Sequence, residues 1–89
     1  MKYTIEIIEI TYKNHFALFM RNDDEYGWLE ELVGELSVGD ILTEIREKDF
    51  LKCGRVDCLI NGRKGSVYIN DFGTKEHMRK EVWEYDRRL

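Results

Sequence analysis

The chain has 89 residues, of which 43% are hydrophobic and 36% are charged, and its formal net charge is −4 at pH 7. This length predicts one domain over residues 1–89 with a single continuous core. The acidic balance argues against bulk binding to duplex DNA, and no run of residues approaches the length of a membrane helix. We therefore expect no membrane partner. Two cysteines are too few for a disulfide framework, so we expect a cytoplasmic protein.

Charge is divided unevenly along the chain. Residues 1–45 contain three bases and ten acids, whereas residues 46–89 contain eleven bases and eight acids. An acidic half joined to a mildly basic half is compatible with a polar protein interface or with a small local patch for nucleic acid.

Two strands are predicted at the start of the chain. In residues 2–12 the apolar side chains change face between Ile7 and Ile8, which indicates a β-bulge or a strand buried on both faces. A second strand is expected over residues 15–21, with its apolar side chains on one face. These side chains are Phe16, Leu18 and Met20.

A short helix is predicted over residues 24–36. Asn22, Asp23 and Asp24 offer side-chain acceptors for its first turn. The apolar residues that follow recur at the spacing of an amphipathic helix. They are Leu29, Leu32, Val33 and Leu36.

A third strand is expected over residues 41–46, followed by a polar break at residues 47–49. The pair Asn61–Gly62 then predicts a two-residue hairpin turn, since both positions of a type I′ turn require positive φ. This turn fixes the register, so Arg55 faces Tyr68 and Cys58 faces Gly65. One face of the hairpin is then apolar, and the other carries the polar and charged side chains.

The chain ends in a predicted helix that Asp71 or Thr74 caps, with Arg87 and Arg88 in its last turn. Its apolar stripe is formed by Met78, Val82, Tyr85 and Leu89. The expected fold is α+β: a strongly bent antiparallel sheet or partly open small barrel, of the OB or SH3-like kind. It has about five strands, one inserted helix and one C-terminal helix.

Catalytic arrangements are incomplete in this sequence. Cys58 falls on the predicted core face, where a thiol behaves as a small hydrophobic group, and no serine has the glycine pattern of a nucleophile elbow. The odd separation of Cys53 and Cys58 on a strand directs the two thiols to opposite faces, and nothing in the spacing brings His15 and His77 together. We therefore predict no catalytic residues, no metal site and no cofactor.

The outward face of the hairpin is a candidate surface for single-stranded RNA or DNA. A guanidinium beside an exposed aromatic ring offers a stacking platform with neighbouring charges for phosphates, although an ordinary cross-strand pair has the same appearance. The candidate residues are Lys52, Arg55, Arg63, Lys64 and Tyr68.

Residues 36–72 resemble a diverged S1-type OB barrel. The matching pieces are Leu36–Ile41, Gly54–Val56 and Gly65–Asn70. The resemblance implies a barrel in which Tyr68 holds the position that faces RNA in that family. The sequence departs from the family pattern by lacking its glycine–aromatic motif on the second strand.

The leading functional expectation is a small non-enzymatic protein-binding module that occupies a surface of a larger partner. It would be an inhibitor, adaptor or regulatory factor, of the kind that phages and mobile elements encode. Two tryptophans lie outside the helical apolar stripes, where they either widen the core or contact a partner, and the predicted first helix has an acidic face. The candidate residues are Tyr26, Trp28, Glu30, Glu31, Glu35 and Trp83. The sequence leaves the partner and the oligomeric state open.

Overall fold

The structure is a computed structural model that describes residues 2–22 and 25–89. Met1, Asp23 and Asp24 lie outside the described residues, as does part of the predicted helix cap at residues 22–24. The elements in chain order are β1 (Lys2–Ile10), β2 (Ala17–Asn22), β3 (Glu25–Val33), β4 (Ile41–Arg46), α1 (Glu47–Lys52), β5 (Gly54–Ile60), β6 (Arg63–Gly73) and α2 (Lys75–Arg88).

The six strands of the described chain form a closed antiparallel barrel in the order β1-β2-β3-β6-β5-β4. The helix α1 is inserted between β4 and β5, and α2 follows the last strand. The predicted class, a small antiparallel barrel with one inserted and one C-terminal helix, is confirmed. The barrel is closed, and one more strand takes part than the sequence suggested, because residues 25–33 form a strand.

Two clusters of buried side chains hold the fold together. The first fills the barrel with residues such as Ile5, Phe19 and Phe50. The second lies between the outer face of the barrel and α2. It contains Phe16, Leu18, Trp28, Met78 and Val82. The sheet is therefore buried on both faces where α2 covers it.

The strands β1 and β2 supply residues to both clusters. The predicted change of face in β1 is confirmed as a register shift between Ile7 and Glu9, and Ile8 packs against the cluster under α2. In β2 the prediction of one apolar face is incomplete. Phe16 and Leu18 do lie on one side, under α2, but Ala17 and Phe19 of the other side are fully buried in the barrel.

The predicted helix over residues 24–36 is wrong, because residues 25–33 form the strand β3. This strand pairs with β2 on one side and with β6 on the other, so its main-chain groups are satisfied by two neighbours. Register shifts between Trp28 and Leu29 and between Glu31 and Val33 interrupt its alternation. Leu32 and Val33 of the predicted stripe are exposed, so the helical spacing of these apolar residues does not mark a buried face.

The hairpin register is confirmed in every pair from Gly54↔Ile69 to Ile60↔Arg63. Asn61 and Gly62 both have positive φ, as the predicted turn requires. The apolar face of the hairpin lies in the barrel core, where Cys58 is buried. The polar break at residues 47–49 is the first turn of α1, which places Phe50 against the rings of Tyr3, Phe19 and Phe72.

The helix α2 begins as predicted, with the Thr74 side chain accepting a hydrogen bond from the His77 N–H. Its predicted stripe is only half buried, since Tyr85 and Leu89 are exposed. Asp86, which is 4% exposed, turns inward instead. Its carboxylate accepts hydrogen bonds from the Thr11 hydroxyl at 2.8 Å and from the main-chain N–H groups of Asn14 at 2.7 Å and Lys13 at 3.1 Å.

These contacts determine the charge state of Asp86. Burial acts to raise the pKa of its carboxyl, but the hydrogen bonds from Thr11, Asn14 and Lys13 together outweigh burial, so the pKa lies below its ordinary value. The anionic form is therefore the one that joins α2 to the loop between β1 and β2.

Replacement of Gly27 by alanine tests the assignment of β3. A Cβ atom at Gly27 would clash with Cζ of Phe19 and would lie 2.6 Å from the Asp71 carbonyl oxygen. We expect Gly27→Ala to lower the free energy of unfolding by about 1–3 kcal/mol in urea titrations. In an exposed helix the same change would raise it by about 1 kcal/mol. Glu35→Ala, at an exposed loop position, is the control, and a stabilised Gly27→Ala variant would contradict the strand.

Replacement of Asp86 by asparagine tests the buried carboxylate. We expect Asp86→Asn to lower the free energy of unfolding at pH 7 by about 1.5–3 kcal/mol, because charge-assisted hydrogen bonds are lost. Since the folded pKa is depressed, this stabilisation is present above the unfolded pKa of about 4 and is lost as the pH falls through the folded value. The difference between variant and parent should therefore shrink in acid. Glu84→Gln is the control on the same helix, and a difference independent of pH would refute the ionic role.

Candidate functional site

The strand β3 separates the acidic residues that were predicted to share one helix face. Glu30 accepts a hydrogen bond from the Asn70 side chain at 3.1 Å. Glu31 lies 3.0 Å from Nδ1 of His15 and also accepts from the main-chain N–H of Leu36. Glu35 is exposed in the loop after β3. These residues do not share a helix face, because β3 is a strand and two of the three carboxylates serve different contacts within the fold. Their role in protein binding stays a prediction.

The two tryptophans have different environments. Trp28 is 4% exposed and packs between Phe16 and Tyr85, with ring centroids at 5.1 and 5.3 Å, so it widens the core. Its indole N–H donates to Glu81 at 2.7 Å. Tyr26 is half-buried against the same cluster. Trp28 also lines a small depression of about 290 Å³, whereas Trp83 lies half-buried at a groove of about 920 Å³ along α2 and packs against the same cluster.

This surface, which we call the α2 groove, is a shallow depression of about 920 Å³ along the outer side of α2. Its lining residues are Tyr12, Lys75, Glu76, Arg79, Lys80, Trp83, Glu84 and Arg87. Four are bases and two are acids, so the groove is locally positive in a chain whose formal net charge is −4. The other two residues are aromatic.

The aromatic pair in the α2 groove is held from within the fold. The rings of Tyr12 and Trp83 meet edge to face, with centroids 5.0 Å apart. The indole N–H of Trp83 donates to Glu9, and Nε of Arg79 donates to the same carboxylate oxygen at 3.2 Å. Tyr12 nevertheless remains 91% exposed. An ordered aromatic ring is therefore presented to solvent.

Tyr12 was not among the predicted site residues. Its only signal in the sequence is that it follows the apolar alternation of β1 and directly precedes the polar pair Lys13–Asn14. Alternation alone assigns it to a sheet face, whereas the ring that it contacts is Trp83 of α2, 71 positions away in the chain.

The second surface, which we call the hairpin groove, is a depression of about 840 Å³ on the outer side of β5 and β6. Its charged lining residues are Lys2, Glu44, Arg46, Asp49, Arg55, Asp57 and Lys64. One wall follows a register shift between β1 and β4, where Glu44 has a φ of 64°. The shift coincides with the end of pairing between β4 and β5, which joins only Leu42↔Ile60 and Thr43↔Leu59 in the described chain.

The predicted nucleic-acid residues are only partly brought together at this groove. Arg55 lies directly opposite Tyr68, as predicted, and Tyr68 is 43% exposed. The guanidinium of Arg55 does not stack on that ring; it donates to Ser66 at 3.4 Å and lies 3.8 Å from Asp57. Lys64 lines the groove, whereas Arg63 lies at the tip of the hairpin and Lys52 at the end of α1.

The charges of the hairpin groove are largely paired with one another. Arg46 lies 3.0 Å from Asp49, Arg55 lies near Asp57, and Lys2 contacts Glu44. An anion that binds in this groove must compete with these carboxylates. The α2 groove has more bases that no ion pair in the described residues includes: they are Lys75, Lys80 and Arg87, against Lys64 in the hairpin groove.

The two thiols and the two histidines are not grouped: Cys58 lines the hairpin groove, whereas the lining residues of neither groove include Cys53, His15 or His77. Burial raises the pKa of the Cys58 thiol to about 11, with a further contribution from Asp57, and burial also raises the pKa of Cys53. Both thiols are therefore protonated at neutral pH and are weak nucleophiles. His15 lies beside Glu31, whereas His77 lies 3.8 Å from Glu81.

Within residues 2–22 and 25–89, no three His, Cys, Asp or Glu side chains are grouped as a metal ion would require. No helix in this part of the chain has the length and apolarity needed to cross a membrane. Comparison with family models, with curated proteins and with solved structures gave no significant match. The function must therefore be argued from the residues of this chain.

Proposed function

We propose that this chain is a small non-enzymatic binding module that acts by occupying a surface of a larger protein partner, which it contacts through the α2 groove. It would serve as an inhibitor, an adaptor or a regulatory factor. The free thiols of Cys53 and Cys58 suit a reducing cytoplasmic environment. The single observation that carries the proposal is the exposed ring of Tyr12 against the half-buried indole of Trp83.

The composition of the α2 groove supports this proposal. Tryptophan, tyrosine and arginine are the residue types that contribute most to binding energy at protein interfaces. Here Trp83 and Tyr12 lie between Arg79 and Arg87, with Glu9 binding the polar edge of the indole. A partner that covers these rings removes apolar surface from water without leaving the indole N–H unpaired.

Substitution of Tyr12 tests the proposal. The tagged chain is used to capture partners from the cells that produce it, and the dissociation constant is then measured with the purified partner. We expect Tyr12→Ala to weaken binding at least tenfold, or about 1.4 kcal/mol, because an interface anchor is lost. Trp83→Phe, which keeps a ring but loses the N–H, should weaken it less.

Tyr68→Ala is the matched control, because Tyr68 is an exposed tyrosine in the hairpin rather than in the α2 groove. It should leave the dissociation constant unchanged. Equal binding by Tyr12→Ala and the parent chain, with both chains folded by circular dichroism, would exclude the α2 groove as the protein contact.

A second function, binding of single-stranded RNA or DNA at the hairpin groove, is favoured by one specific observation. The hairpin register places Arg55 directly opposite the exposed Tyr68, and Arg55 and Lys64 line the hairpin groove. Bases that stack on an aromatic ring beside cationic side chains bind with little dependence on sequence.

Binding to short oligonucleotides tests this second function. At roughly 50 mM salt we expect a dissociation constant below about 100 μM, with strong weakening as salt increases. Tyr68→Ala and Arg55→Ala should each reduce the affinity several-fold, because base stacking contributes about 1–3 kcal/mol per base. Tyr12→Ala is the control from the other surface. No detectable binding in low salt would end this alternative.

A further inference from the structure

Three residues of the α2 groove form a row along one side of the helix. Arg79, Trp83 and Arg87 are spaced at i, i+4 and i+8 and all line the groove. With a rise of about 1.5 Å per residue, neighbours in this row are separated by about 6 Å along the axis, and the two arginines by about 12 Å. The row therefore presents cation, aromatic ring and cation at nearly equal steps.

Both arginines of the row have donors available for a ligand. Arg79 donates Nε to Glu9, but its side chain remains 62% exposed, and a guanidinium has four further N–H donors. Arg87 is exposed, and the ion pairs of the described residues do not include it. A planar guanidinium suits a carboxylate especially well, because the two groups form paired hydrogen bonds.

We propose that the occupant of the α2 groove is an extended acidic segment of the partner protein, with the pattern acidic–x–apolar–x–acidic. This inference rests on the proposed protein-binding function and specifies its ligand. Alternate residues of an extended chain lie on the same side at steps of about 6.6 Å, close to the spacing of the row. The two acidic side chains then reach Arg79 and Arg87, and the apolar side chain between them covers the rings of Trp83 and Tyr12.

Charge favours such a short segment over a nucleic acid. The row of Arg79, Trp83 and Arg87 is positive, and Lys75 adds a further positive charge one turn earlier on the same side of the helix. Glu76 and Glu84 lie beside the row in the same groove. The whole chain carries a formal net charge of −4, so a long polyanion is repelled beyond the groove. A short segment with two carboxylates contacts the basic side chains of the groove, and little of it faces the acidic remainder of the chain.

A blocked synthetic peptide with the order glycine–glutamate–serine–phenylalanine–serine–glutamate–glycine tests this inference. A fluorescent label on one end allows its binding to the full chain to be followed by anisotropy. We expect saturable binding, and replacement of both glutamates by glutamine should weaken it about tenfold or more, because two charge-assisted contacts are lost. Replacement of phenylalanine by serine should weaken it comparably.

Matched variants of the chain locate the binding site. Arg87→Gln and Tyr12→Ala should each weaken peptide binding about five- to tenfold. Arg88→Gln is the control, since Arg88 is the adjacent exposed base, is paired with Glu84, and does not line the groove. All three side chains are exposed, so thermal unfolding should show that these variants remain folded.

The outcomes separate this inference from the proposed function. A peptide that does not bind, or that binds equally to the parent chain and Arg87→Gln, overturns the acidic segment. The protein-binding function then still stands if the binding of a purified partner is weakened in the Tyr12→Ala variant. Unlabelled peptide and an oligothymidylate of equal charge are then compared as competitors of the labelled peptide. If the oligothymidylate displaces it more effectively, the inference is overturned in favour of nucleic acid.

Discussion

The docking of α2 on the outer face of β2 and β3 is the interaction on which the rest of the structure depends. Trp28 packs against Phe16 from the barrel side, and Met78 and Val82 close the same cluster from the helix. Asp86 adds a polar anchor at the end of the helix by binding the loop after β1. Because this anchor is buried, α2 has one defined position, and Trp83 is thereby placed beside Tyr12.

The features that could be predicted from the sequence are those with a local cause. The pair Asn61–Gly62 requires a particular turn and so determines the register of β5 and β6, including the position of Arg55 opposite Tyr68. Thr74 starts α2 through its own side chain. In each case neighbouring residues contain all the information needed, so a distant contact could not change the result.

The features that could not be predicted depend on distant parts of the chain. Residues 25–33 have the spacing of a helix, but β2 and β6 pair with them, and Leu32 and Val33 of the apolar stripe are exposed. An aspartate in the buried face of a helix is against the apolar pattern, and Asp86 is accommodated only because Thr11, Lys13 and Asn14 supply donors. The acidic residues do not share a helix face, because the helix predicted for them is a strand. Trp83 remained a surface candidate, because α2 was predicted correctly.

The two grooves differ in what a ligand must displace. In the hairpin groove, Arg46 and Arg55 already face Asp49 and Asp57, so an anion gains either guanidinium only by replacing a carboxylate that is already in place. Lys64 is the lining base that no ion pair of the described residues includes. In the α2 groove, Glu9 occupies the inner edge of Arg79 and Trp83, and the outer donors face solvent. Glu9 therefore holds the Trp83 indole in one position without a ligand, and for the proposed partner this would reduce the entropy lost on association. A protein that binds at the α2 groove, as proposed, would meet unpaired bases beside an aromatic ring that is already in position.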